Sequence, residues 1–196
     1  MNSFVMQTYA SKQLLILDDR QDPSFSEVPR LPSVSYLRSD SRSIAEKRNI
    51  LCSLSAGDLV CHWDDDDFSA PERIADQVKR LEESGKAVTG FCSMLFYEGQ
   101  PERAAKYVND CNYALGTSLL YRREWAIEHP FRLAENAWGE DNNFVNDARS
   151  AGDLISVDAG QLMVARAHPG NTSKKDLGKV DYRTVPLSAI PERFFQ

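Results

Sequence analysis

No stretch of the 196 residues approaches the roughly twenty apolar residues of a membrane span, and no basic-then-apolar leader opens the chain. Excess positive charge is also missing. With 23 Lys and Arg against 29 Asp and Glu, the net charge is −6, which argues against a broad nucleic-acid-binding surface. A nucleic acid met by a local patch stays open as an acceptor. The four cysteines (Cys52, Cys61, Cys92 and Cys111) have no CxxC or Cys/His metal spacing, so the expectation is small apolar packing in a reducing, cytoplasmic setting. Asn171-Thr172-Ser173 matches a glycosylation sequon, which without a leader reads as coincidence. There is no glycine-rich phosphate loop, internal repeat, low-complexity stretch or dividing linker. Apolar residues at 42% and charged residues at 27% suit one globular domain with a sizeable core.

What the chain does have is His62-Trp63-Asp64-Asp65-Asp66-Asp67-Phe68. Four consecutive carboxylates repel one another, and a divalent cation or cationic partner would relieve them. They follow the apolar run Leu59-Val60-Cys61 and precede Pro71, so they sit between a strand end and a helix start. Ligands of open α/β sheets bind at such carboxyl ends of strands.

The rest of the chain fits the same frame. Leu14 to Leu17, ending in Asp18-Asp19, reads as a strand buried on both faces, and Val34 to Leu37 as a second. Ser43 and Glu46 form a capping box for a helix with an apolar face at Ile44, Leu51 and Leu54, ending near Gly57. Pro71 to Gly85 is a helix with a stripe at Ile74, Val78 and Leu81. Ala87 to Tyr97 is a strand region, 98–105 a turn, Thr117 to Tyr121 a strand, and Arg122 to Glu128 a short helix. Glu140 to Ala151 is a helix with Phe144 and Ala148 inward, and Leu154 to Val157 and Leu162 to Ala165 are the last strands. Strand–helix alternation predicts an α/β fold with a mostly parallel central sheet flanked by helices. Residues 1–173 form that domain, and 174–196 read as a polar surface tail.

Asp64 and Asp66, two apart on an extended segment, point the same way and can face one hard cation, Mn²⁺ or Mg²⁺. Asp65 points oppositely, toward a ribose or a second ion, while Asp67 is divided between that cluster and a cap on the following helix. Asp18 or Asp19 can accept a hydrogen bond from a nucleobase, and Lys47 and Arg48 can add positive charge near phosphates. In Trp138-Gly139-Glu140-Asp141 a glycine turn sets two carboxylates at a helix start beside an indole able to stack on a sugar or base. Glu140 and Asp141 are therefore candidates for the base that deprotonates a hydroxyl. His168, after the last strand, is a candidate third metal ligand or diphosphate contact.

Taken in order, these elements resemble the family 2 glycosyltransferases of the GT-A fold, over roughly residues 3 to 173. Gln7-Thr8-Tyr9 and Leu14 to Asp19 resemble the family's "QTY…ELLIVDDGS" segment, and Ser43 to Asn49 its "G-x-x-x-A-R-N" helix. Val60 to Phe68 with Pro71 resembles "hydrophobic-x-D-x-D-D…P", Gly116 to Arg123 the strand carrying "G…RR", Gly139 to Asp141 the "G-E-D" motif, and His168 to Asn171 a late "H…N" element. The resemblance implies an inverting, metal-dependent transfer of a sugar from a nucleotide donor, a UDP-sugar first among them, to an acceptor hydroxyl. It implies Asp18 or Asp19 at the base, Arg48 at base or phosphates, Asp64, Asp65 and Asp66 at metal, ribose and diphosphate, and Asp141 as general base.

Three features depart from the family pattern. The opening strand of the type "VSVIIPTYNR" is not in this sequence, Arg20 stands where glycine usually follows "DD", and Ala45 stands where glycine often sits. The first of these keeps a second reading open, a shortened, inactive GT-A-like binding or assembly module. A nucleotidyltransferase is a third, because a paired-aspartate metal site also serves that chemistry.

Overall fold

The structure is a computed structural model that describes residues 2–19, 31–40, 42–132, 139–171 and 175–195. After a single helical turn, α1 (Asn2–Val5), come β1 (Leu14–Asp18), β2 (Val34–Arg38), α2 (Ile44–Leu54), β3 (Leu59–Cys61) and β4 (Phe68–Ser69). There follow α3 (Arg73–Ser84), β5 (Val88–Gly99), β6 (Glu102–Val108), β7 (Leu120–Arg122), α4 (Arg123–Glu128), α5 (Glu140–Ser150), β8 (Leu154–Asp158), β9 (Met163–Ala167) and β10 (Tyr182–Val185).

β5 is the spine of an eight-stranded sheet. Its first half pairs antiparallel with β7 and parallel with β8, and its second half antiparallel with β6 and parallel with β9. Nine successive residues, Val88 to Phe96, are buried, as a strand covered on both faces must be. β10 extends the sheet beyond β6, β3 beyond β7, and β4 beyond β9. The sheet is thus mixed where alternation suggested mostly parallel strands. The region 98–105 is where the expectation parts from the structure: β5 and β6 are joined through Gln100-Pro101, too short for a crossover, so β6 must run back antiparallel.

β1 and β2 form a separate two-stranded parallel sheet. A cavity of about 530 Å³ lies between it and the larger sheet, with Leu14 and Leu15 of β1 on one side and Leu59, Val60 and Cys61 of β3 on the other. Leu51 of α2 and Ile74, Val78 and Leu81 of α3 close its faces, and His62, Trp63 and Asp64 stand at its border.

The helices form largely as the sequence dictates. Ser43 and Glu46 make the capping box of α2, but the buried residues are Ala45 and Cys52, and Leu54 is half exposed. α2 turns its small side toward α4, which leaves Leu51 to face the cavity. α3 starts at Arg73, two residues beyond Pro71, and its stripe of Ile74, Val78 and Leu81 is buried as expected. It ends on left-handed Gly85, φ 66°. The segment expected as a polar surface tail instead supplies β10 and buries Leu177, Ile190 and Phe194. Among the described residues no helix is long and apolar enough to cross a membrane.

Candidate functional site

The acidic tetrad occupies the loop between β3 and β4, and Arg73 pinches that loop at its base. Its guanidinium, 1% exposed, donates to His62 O at 3.1 Å on the near side and to Ser69 Oγ at 2.8 Å on the far side. It also donates to Thr117 O at 3.2 Å and Gln77 Oε1 at 3.2 Å. A charge this buried persists when its donors are satisfied, and removing it would orphan several acceptors. Gln7 secures the same region, donating to Ala70 O at 2.7 Å and accepting from Ile74 N, which caps an α3 that lacks a side-chain cap of its own.

The carboxylates then separate by role. Asp64 and Asp65 are exposed. Asp66 Oδ2 accepts from His168 Nε2 at 2.7 Å and from Asn171 Nδ2 at 3.3 Å. The His168 Nδ1 atom accepts the Gly170 N–H at 3.1 Å, so in this geometry the proton sits on Nε2 and is given to Asp66. Asp67 turns inward, accepting from Thr117 Oγ1 at 2.8 Å and from Arg166 N at 3.0 Å. Burial, and then the charge of Asp64, push its carboxyl up to about 6. Asp67 therefore braces β9 and the turn at Thr117, and the cap on the Pro71 helix considered from the sequence is not what it forms.

The other carboxylate pair meets the tetrad at a single 3₁₀ turn, Gly116–Ser118. His62 Nδ1 lies 2.7 Å from Gly116 O, an acceptor, so Nδ1 carries the proton; Nε2 then accepts from Tyr121 OH at 3.2 Å. Burial, reinforced by Arg48 and Arg73, holds this imidazole well below its usual range and neutral. From the other side Asp141 packs on the same glycine. A Cβ at Gly116 would fall 1.9 Å from Asp141 Oδ2 and 2.6 Å from its Cβ, and one at Gly139 2.3 Å from Oδ1. Asp141 is thus seated between two glycines at the start of α5, its Oδ1 accepting the Asn142 N–H at 2.9 Å. Tyr113 OH donates to Asn142 Oδ1 at 2.9 Å; burial, with Asp141 nearby, pushes this phenol well up and keeps it protonated. One turn therefore holds Asp67 through Thr117, His62 through the Gly116 carbonyl and Asp141 through the absent Gly116 side chain.

The cationic candidates are each matched by a carboxylate. Arg48 forms an ion pair with Glu140 and lies 5.3 Å over the Phe131 ring. Lys47 Nζ is 3.0 Å from Asp19 Oδ1, and Lys47 first, then the Arg42 N–H, hold the Asp19 carboxyl below its ordinary value. Asp18 is buried and accepts from Tyr36 OH at 2.5 Å. Asn49, beside Arg48, clasps both backbone groups of Phe131, at 2.8 and 2.9 Å. Trp138 lies outside the described residues, as does Arg20.

Among the described residues no three His, Cys, Asp or Glu side chains form a cluster that could enclose an ion. The donor chemistry still suits a hard cation. Exposed carboxylates at Asp64 and Asp65 and a half-exposed one at Asp66 offer oxygen ligands, and Mg²⁺-like ions commonly take one or two carboxylates and complete their shell with substrate phosphates.

Sequence reasoning gave no role to His62, Gln7, Asn49 or Gly116, although each lay in a quoted motif, and it passed over Arg73 altogether. For Arg73 a signal existed: Arg73 and Gln77, four apart, fall on the same helix stripe as Ile74, Val78 and Leu81. Polar residues on a buried stripe must be bonded to something.

Residues 1–144 match the family described as Glycosyl transferase family 2. Among solved structures the chain is similar to S. aureus TarS 1-349 in complex with UDP-GlcNAc, at 20% identity and TM-score 0.68, covering 87% of this chain and 54% of that one. It is similar to the same protein in complex with UDP at 18% identity and TM-score 0.67, covering 86% and 55%. It is also similar to the mannosyltransferase PcManGT from Pyrobaculum calidifontis in complex with GDP-Man and Mn²⁺, at 12% identity and TM-score 0.63, covering 87% and 52%. At these identities the likeness is one of fold, and the chain spans about half the length of these proteins. No curated protein matches it.

Proposed function

The chain belongs to glycosyl transferase family 2, with a GT-A-like α/β fold, and on that premise we propose that it transfers a sugar from a nucleoside diphosphate donor to an acceptor hydroxyl with inversion. The observation that carries the reading is the convergence of Asp67, His62 and Asp141 on the Gly116–Ser118 turn. It supports placing the donor's diphosphate and the acceptor hydroxyl at one site.

In this reading Asp141 is the general base. It accepts the acceptor's proton as the hydroxyl oxygen bonds to the anomeric carbon and the bond to the nucleoside diphosphate breaks. Its seat between two glycines fixes the carboxylate, and the Asn142 N–H leaves Oδ2 for the incoming proton. Glu140 acts beside it by orienting Arg48. Asp18 or Asp19 faces the nucleobase and Asp65 the ribose, with Trp138 as a stacking surface. Lys47 and Arg48 serve the phosphates, which would compete with Asp19 and Glu140 for them. Asp64 and Asp66 would hold Mn²⁺ or Mg²⁺, with His168 as third ligand or as the donor that orients Asp66. Such an ion supplies positive charge against the leaving diphosphate. UDP and GDP sugars, which the similar structures bind, are the first donors to try.

The test is release of nucleoside diphosphate from a panel of UDP- and GDP-sugars with Mn²⁺, for the native chain, Asp66→Ala and Asp141→Asn. The expected result is sugar-dependent release that falls at least about a hundredfold in Asp141→Asn with donor binding retained. Release of pyrophosphate would point to nucleotidyl transfer instead. A folded chain that binds no donor would leave the inactive-module reading standing.

A further inference from the structure

Two of the four cysteines stand together in a way that the proposed transfer does not use. Cys92 Sγ and Cys111 Sγ are 2.8 Å apart, nineteen residues apart in sequence. The β5–β6 ladder brings them there. It ends at the Ser93↔Val108 pair, so Cys92 is one residue beyond it on β5 and Cys111 three residues beyond it on the other arm. Cys92 is also where the register of β5 against β8 slips, between Phe91 and Ser93, and an irregularity of that kind re-aims a side chain. Cys92 is buried whereas Cys111 is exposed in the turn, so one sulfur is open to reagents and the other waits behind it. The turn itself is ordered by local bonds, Asp110 N to Asn109 Oδ1 at 2.8 Å and Asn112 N to Asp110 Oδ1 at 3.2 Å. It leads directly to Tyr113 and Gly116.

We propose that Cys92 and Cys111 are a dithiol–disulfide site, oxidised by exchange with a low-molecular-weight disulfide such as oxidised glutathione, whose closure fastens the turn after β6 to the central strand. The Cys111 thiolate attacks one sulfur of the external disulfide and expels the first thiolate, leaving a mixed disulfide on Cys111. Cys92 gives up its proton to solvent and attacks Cys111 Sγ, expelling the second. The protein loses two hydrogens, two electrons pass to the external disulfide, and two small thiols are formed. Burial raises the Cys92 thiol above its ordinary value, so the second step is slow near neutral pH and speeds up as the pH rises.

The experiment treats the native full chain with oxidised glutathione at pH 8, followed by intact mass and non-reduced peptide mapping. The expected product is lighter by two hydrogens, yields a Cys92–Cys111 linked peptide, and reverts with dithiothreitol. Its melting temperature is higher by about 5–10 °C, because the link closes a loop of some twenty residues. Cys92→Ser is expected to stop at the mixed disulfide on Cys111; if that variant does not fold, the native peptide map alone decides. A persistent mixed disulfide on Cys111 in the native chain, with Cys92 still open to alkylation after denaturation, would overturn the proposal. So would links to Cys52 or Cys61, or a melting temperature that is unchanged or lower in the cross-linked chain.

Discussion

The eight-stranded sheet and the small β1–β2 sheet carry the two halves of the candidate site, and they are held by different means. In β5 nine successive residues are buried and the strand is paired along both edges. In β1 four of five residues remain partly exposed, although Leu14-Leu15-Ile16-Leu17 is as apolar as any run in the chain, and in β2 no residue is buried. The small sheet faces a cavity that the large sheet meets only through β3 and β7 among the described residues, while β5 has packed neighbours. The seat of Asp141 against Gly116 is thus set beside a dense core, while Asp18 and Asp19 depend on ties such as Tyr36 to Asp18 and Lys47 to Asp19. Geometry fixed by packing is available before a ligand arrives; geometry fixed by surface ties is completed with it.

The largest effect is expected from one methyl group added inside the packed turn, with a methyl group at an open position as its control. Gly116→Ala brings a Cβ to 2.6 Å from the Asp141 Cβ, so the turn or the start of α5 must shift. Transfer is expected to fall at least about a hundredfold, since a displacement of about 1 Å in a catalytic group costs that much. Gly57→Ala, at the end of α2, meets nothing closer than 3.4 Å and should leave the rate within about twofold. Nucleoside diphosphate release, with circular dichroism as a check on folding, compares the two. Equal losses would mean that the close packing of Asp141 on Gly116 is not what sets the rate.

Amide hydrogen exchange reads the comparison across the whole chain. The amides of Leu15 to Leu17 are expected to open at a free energy at least about 2 kcal/mol below those of Phe91 to Leu95. A UDP- or GDP-sugar with Mn²⁺ should narrow the gap from the small-sheet side. Equal protection in the unliganded chain would mean that the exposed β1 is as firmly held as the core.

The same contrast explains what could be read in the sequence. Local signals were enough for elements that carry their own instructions: the Ser43–Glu46 capping box, the α3 stripe, Gly85, and the inward Phe144 and Ala148 of α5. The tetrad and Gly139-Glu140-Asp141 stood out as charge that needs a reason. The connection between them did not, because it runs through the Gly116 carbonyl, a missing Cβ and the neutral imidazole of His62, none of which leaves a periodic trace. β1 misled in the opposite sense. Its apolar run predicted burial on both faces, but burial depends on what lies beside a strand edge, and that is decided by tertiary structure. β10 was missed for a related reason: Tyr182 to Val185 is short and mostly polar, and it becomes a strand because β6 offers it an edge.

The smallest effect tests a single tie of the weaker half. Lys47 holds the Asp19 carboxyl below its ordinary value, so the folded chain binds that proton less readily than the unfolded chain. The stabilisation is therefore complete above the ordinary carboxylate value of 3.8 and is lost as pH falls through the lower folded value. Both side chains are partly exposed, so the pair contributes under about 1 kcal/mol. Lys47→Met should melt about 1–3 °C below the native chain at pH 6, and the two should converge as the pH approaches about 2. If the gap persisted in acid, the Asp19 charge would not be what Lys47 works through, and this tie would no longer separate the small sheet from the large one.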